Sequence, residues 1–149
     1  MFPSLKHRMQ KPHKRNRRNS IMKPEILVVH DMPDMCNLIQ ALLGGRYAIT
    51  TYLHYENAIR ALNCPNAFEL VIANYGSRFD GNGPKMAEEM HKNFPNIPLI
   101  IVSGNQNESE IIQVCNPDAC ISTPFIPTEI LMDTVNNCLE QKARKTLVV

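Results

Sequence analysis

The sequence predicts a three-layer α/β/α fold, a (βα)5 doubly wound parallel sheet with helices on both faces. Three observations carry this expectation. Short strand-like runs recur five times, three of them rich in Val, Ile and Leu, and the first, Ile26-Leu27-Val28-Val29, lacks the polar alternation of a half-exposed strand. Amphipathic stretches with apolar residues three and four apart lie between those runs. A length of 149 residues with 44% hydrophobic composition suits one core plus a tail.

The elements follow in order. The first strand covers Glu25 to His30, and a helix begins at about Pro33, with Met35, Leu38, Ile39, Leu42 and Leu43 on its apolar side. Gly44-Gly45 is expected to end that helix by supplying a residue with positive φ. The second strand is Arg46 to Tyr52, and a short helix with Ala58, Ile59, Ala61 and Leu62 runs to Cys64, where Pro65-Asn66 breaks it. The third strand is Glu69 to Asn74. A loop from Tyr75 to Gly83 leads to a helix opened by Pro84, with Met86, Met90 and Phe94 on one side. The fourth strand is Leu99 to Ser103, followed by a helix over Glu108 to Val114. The fifth strand is Ala119 to Ser122, and a last helix spans Pro127 to Glu140. Strands separated by helices of this length need crossover connections, hence a parallel sheet.

Charge divides the chain. Lys6, Arg8, Lys11, Lys14, Arg15, Arg17 and Arg18 meet no acid before Glu25, whereas from Met22 onward the formal charge is negative. Residues 1–21 are too polar to bury a core and are expected to form a basic, disordered arm. Met22 stands just before the first strand, so the arm is equally readable as a mis-assigned start. The remaining organisation is a domain over 22–141 and a short tail over 142–149. The folded body carries no positive field of the kind a nucleic-acid-binding domain presents, so nucleic acid is a reading for the arm alone.

Other classes find little support. The cysteines 36, 64, 115, 120 and 138 are odd in number and form no C-x-x-C pair, and the histidines are scattered. Free thiols in a reducing cytoplasm are expected, with no zinc site. No run approaches the ~18 apolar residues of a membrane span, and no signal peptide is legible. Gly76 to Gly81 has phosphate-loop spacing, but Asn82-Gly83 stands where Lys and Ser/Thr are needed. His30, Asp31 and Ser103 are side-chain types of a hydrolase triad, yet no G-x-S-x-G elbow exists. No catalytic residue is assigned.

In parallel sheets of this kind, ligands bind at the carboxyl ends of the strands. Those ends present His30-Asp31, Asn74, Ser103 and Thr123-Pro124-Phe125. Ile26 to Asp34, with its polar pair after the strand, and Glu69-Leu70-Val71-Ile72-Ala73-Asn74 are similar to two strands of the receiver domain of bacterial response regulators. Ile100-Ile101-Val102-Ser103-Gly104 and Thr123-Pro124-Phe125 followed by Glu129-Ile130-Leu131 extend the likeness. The chain thus resembles that receiver (CheY-like) family over roughly residues 24 to 141. The resemblance implies a flavodoxin-like fold and a place in phosphorelay, two-component signal transduction.

It also implies a departure. Members accept a phosphoryl group from a histidine kinase onto an aspartate beside an acid-bound divalent metal, with a lysine nearby. Here Asn74 holds the acceptor position, His30 replaces one metal-binding acid, Thr123 replaces the lysine, and Cys120 stands at the switch aromatic; Asp31 and Ser103 remain. An amide cannot form the acyl phosphate that a carboxylate nucleophile forms. Mg²⁺ draws affinity from anionic oxygen ligands, so its binding should be weak or absent, with Asp31 the residual candidate. The expectation is a degenerate, stand-alone receiver-like domain acting by protein–protein interaction without phosphorylation. Its partner would be a histidine kinase or another regulator, or a second copy in a homodimer.

The resemblance places the interaction face on the fourth helix, fifth strand and fifth helix, with Glu108, Ile111, Ile112, Cys120, Ser122, Pro127 and Met132. Two other functions stay open: phosphate acceptance on another carboxylate, Asp31 or Asp80, and nucleic-acid binding through the arm.

Overall fold

The computed structural model describes residues 22–76, 82–104 and 108–148. Five strands form one sheet: β1 (Glu25–Val29), β2 (Ala48–Tyr52), β3 (Leu70–Asn74), β4 (Leu99–Ser103) and β5 (Ala119–Ser122). They alternate with α1 (Pro33–Leu43), α2 (Tyr55–Leu62), α3 (Asn82–Asn93), α4 (Glu108–Cys115) and α5 (Glu129–Val148). All pairings are parallel, and the strand order is β2-β1-β3-β4-β5. This is the expected flavodoxin-like topology, with the reversal of strand order between β1 and β3.

The unbroken apolar runs reflect burial on both faces. Alternate residues of the central strands serve opposite layers. Ile26, Val28, Leu70, Ile72, Ile100 and Val102 pack with Ile39 and Leu43 of α1 and Leu131 and Val135 of α5. Leu27, Val29, Val71, Ala73, Leu99 and Ile101 pack with α2, α3 and α4 through Ala58, Leu62, Met86, Met90, Ile111 and Cys115. Tyr47 also donates its hydroxyl proton to Asn136 Oδ1, tying the start of β2 to α5.

Three details differ from the sequence expectation. Gly44 ends α1 at φ −65°, an ordinary right-handed conformation. Its lack of a side chain matters because a Cβ there would lie 2.6 Å from the Gln40 carbonyl oxygen; space, not positive φ, calls for glycine. The break after α2 does use a left-handed residue, Asn66 at φ 58°. Finally, α5 continues to Val148, so the segment set apart as a tail from residue 142 is helical. Its apolar stripe ends near Leu139, but Gln141 to Lys145 are good helix formers with no glycine or proline to stop them. Arm residues 1–21 lie outside the described residues.

Because Ile101 is fully buried between β3, β5 and the helices of one layer, Ile101→Ala should cost about 2–5 kcal/mol of stability. Ile112→Ala on the outside of α4 should stay within about 0.5 kcal/mol. Urea unfolding of the two variants checks the contrast, and equal losses would contradict this assignment of the core.

Candidate functional site

Parallel strands in register bring their carboxyl ends to one edge. Val29 pairs with Ala73, Asn74 with Val102, and Ser103 with Ser122. The residues just past those ends therefore converge. His30, Asp31, Asn74, Ser103 and Thr123, all singled out in the sequence, line one cleft of about 320 Å³. Met32, Met35, Gly76, Val102 and Gly104 complete its wall. Sequence reasoning did not single these out; the one local signal was Gly76, whose φ of 91° turns the chain away after β3.

The turn after β1 is fixed by His30. Its Nδ1 accepts the Met32 backbone N–H at 3.2 Å, and its carbonyl accepts the Cys36 thiol at 3.6 Å. Accepting at Nδ1 requires an unprotonated Nδ1, so the neutral ring carries its proton on Nε2. Burial lowers the His30 pKa from its usual 6.5, and the neighbouring Asp31 carboxylate, 3.4 Å from Nδ1, offsets only part of that effect. Burial likewise pushes the Cys36 thiol up.

Asn74 ends β3, which is hydrogen-bonded on both sides, and is 6% exposed. Its Nδ2 donates to Asp31 Oδ1 at 3.3 Å. Its Oδ1 is buried and has no hydrogen-bond partner among the described residues. An unsatisfied buried acceptor costs about 1–3 kcal/mol, so the position is held by its surroundings rather than by its own bonding. On the far side, Thr123 donates its hydroxyl to Ser103 O at 3.3 Å and its backbone N–H to the same oxygen at 2.8 Å.

Chemically, the cleft offers one carboxylate, a neutral imidazole, and an amide whose NH₂ faces that carboxylate. A hard divalent cation draws on several anionic oxygens, and this donor set does not supply them. No group of three or more His, Cys, Asp or Glu side chains with metal-binding geometry occurs among the described residues. The alternative acceptor Asp80 falls in a stretch outside them.

Two sequence expectations need adjustment. Cys120 does not join the cleft: it pairs with Ile101 inside the sheet and packs toward the α2–α3–α4 layer, where burial raises its pKa. Ile111 cannot belong to an interaction face, because it is completely buried. On α4, Ile111 and Cys115 lie four residues apart and form the inner stripe. The outer side carries Glu108, Ile112 and Val114 instead. Ser122 and Pro127 are exposed, and Met132 is half-buried against the core. Ile126 and Ile130 are further exposed apolar residues that the sequence did not mark.

The depressed His30 pKa makes a stability prediction. Between its folded value and 6.5 the unfolded chain binds more protons than the folded chain, so stability rises with pH in that window and is lost as pH falls through 6.5. His30→Gln should flatten the decline in urea midpoint between about pH 7.5 and about pH 5.5. An unchanged slope in the variant would assign the proton uptake elsewhere.

No family model and no curated protein matches the chain. Solved structures do. The signal receiver domain of an HD domain-containing protein from Pseudomonas fluorescens Pf-5 superposes with a TM-score of 0.73 at 20% identity, covering 85% of this chain and 94% of that one. A CheY-like response regulator receiver domain protein from Methanospirillum hungatei JF-1 gives 0.72 at 20% identity, over 83% and 98%. NtrX from Brucella abortus, solved in complex with ADP, gives 0.74 at 27% identity, over 85% of this chain but only 29% of that one. The structural neighbours are thus response regulator receiver domains, and the chain has their fold.

Proposed function

We propose that this chain is a degenerate receiver module of two-component signalling that works in the cytoplasm by binding a protein partner, without phosphoryl transfer. The observation that carries the reading is Asn74 at the carboxyl end of the central strand β3, its NH₂ bonded to Asp31. An amide there supplies neither a nucleophile nor the charge that draws a metal. Thr123 and His30 in the same cleft remove a cation and a second acid from the set that a receiver uses, so Mg²⁺ binding is expected to be weak. No helix among the described residues is long and apolar enough to cross a membrane.

The partner is a histidine kinase or another regulator, with a second copy of the chain as the simplest case. It docks on the outer side of α4, β5 and the start of α5, through Glu108, Ile112, Ser122, Pro127 and Met132. What favours this surface is that Ile112, Val114, Ile126 and Ile130 all expose apolar side chains there. The module stays in one binding-competent state, because a switch needs a ligand that prefers one conformation.

Two experiments test the reading. Incubation with acetyl phosphate and Mg²⁺ should leave the intact mass unchanged; a hydroxylamine-sensitive phosphoryl adduct mapped to Asp31 or Asp80 would instead establish phosphate acceptance. Affinity capture with tagged full chain should retain a signalling protein that Ile112→Glu releases, while urea unfolding of the variant stays within about 0.5 kcal/mol of the parent. Retention by the variant would move the interface off α4.

A further inference from the structure

Among the described residues, the cleft joins one carboxylate to an amide oxygen without a hydrogen-bond partner. Asp31 brings a carboxylate whose side chain is 40% exposed. Asn74 Oδ1 is buried beside it with no hydrogen-bond partner among the described residues. The amide cannot turn to relieve this, because its Nδ2 is engaged by Asp31 and exchange of the two atoms would set oxygen against carboxylate. Thr123 spends its hydroxyl proton on Ser103 O. No lysine or arginine lines the cleft among the described residues, while Met32, 54% exposed, and Met35 add an apolar lip.

These features select a ligand class. An anion would meet the Asp31 charge with no lysine or arginine among the described lining residues to offset it. A hard divalent ion lacks the anionic oxygens it needs. A cationic group rich in N–H donors and carried on an alkyl stem satisfies all three features at once: charge to Asp31, a donor to Asn74 Oδ1, and the stem across the methionines. The planar fork of a guanidinium suits a carboxylate with an adjacent amide oxygen best.

We propose that the cleft is a receptor for an alkylammonium or guanidinium head group, delivered as the lysine or arginine side chain of a basic peptide segment. This deepens the interaction function proposed above and rests on it, since a cleft committed to phosphoryl chemistry would not take a cation of this kind. One source of the segment lies in the chain itself: residues 1–21 contain seven Lys and Arg and no Asp or Glu. A separate basic protein segment offers the same chemistry.

The test is an NMR titration of the ¹⁵N-labelled full chain with methylguanidinium and n-butylammonium, using tetramethylammonium, which has no N–H, as the control. Saturable shifts are expected at the Asn74 side-chain amide and at the backbone N–H groups of Asp31, Gly76 and Gly104, with the two donors only. Asp31→Asn should weaken binding by roughly tenfold or more. Thr123→Lys, which tethers an ammonium inside the cleft, should abolish the shifts and raise the thermal midpoint. Replacing the seven basic residues of 1–21 by glutamine in the full chain separates the sources. Tighter probe binding by that variant means that the chain's own segment competes for the cleft; equal binding assigns the natural side chain to another protein. Absence of saturable shifts in both chains, or shifts indifferent to Asp31→Asn and Thr123→Lys, overturns the proposal. The titration uses no phosphodonor, so an aspartyl phosphate found in the mass assay would sink the adaptor reading without deciding this one.

Discussion

The contact between the Asn74 amide and the Asp31 carboxylate sets the character of the whole carboxyl edge of the sheet. Asn74 ends a strand flanked on both sides, so its side chain has little room and meets Asp31 from the neighbouring strand end. One hydrogen bond at 3.3 Å then fixes the amide with its donor toward the carboxylate, and its buried oxygen has no hydrogen-bond partner among the described residues. A folded domain is stable by only about 5–15 kcal/mol, so an unsatisfied oxygen here is a sizeable cost. It is sustained because two packed apolar layers, and not the edge, hold the sheet together.

The same burial explains His30. A histidine at the end of β1 loses more to burial than it gains from Asp31, which favours the neutral ring, and it uses Nδ1 as an acceptor for Met32. Protonation would set a second donor against the Met32 N–H. The cleft therefore carries its charge on Asp31 and its hydrogen-bonding deficit on Asn74. Those two adjacent residues, rather than the spread of polar groups around them, decide what the edge can bind.

Much of this was legible in the sequence. β4 and β5 run over the expected residues because Pro98 and the Asn116-Pro117 pair leave no room for longer strands. Convergence of His30, Asp31, Asn74, Ser103 and Thr123 followed from strand ends alone, since parallel strands of similar length finish at one edge. What was not legible depends on orientation. Two adjacent isoleucines on α4, Ile111 and Ile112, look alike in sequence, yet one is fully buried and the other half exposed; only the packing of α4 on the sheet distinguishes them. Cys120 sits one residue before the buried Ile121 and on the opposite side of β5, so its place inside the layer, away from the cleft, required the strand register. The amide direction of Asn74 is a property of three-dimensional contact and has no sequence signature.

The same residues separate what holds the fold from what the edge can bind. The sheet, with the helices packed on it, is stabilised by apolar layers that contain none of the cleft's polar side chains, though Val102 and Met35 belong to both. Substitution at the edge therefore changes ligand preference with little effect on the core, as sites are grafted onto folds. An amide at residue 74 carries no negative charge, and its oxygen has no donor among the described residues. In an anionic cluster that acceptor would favour a metal; beside a lone Asp31, with Thr123 offering no cation, it favours an N–H donor with positive charge.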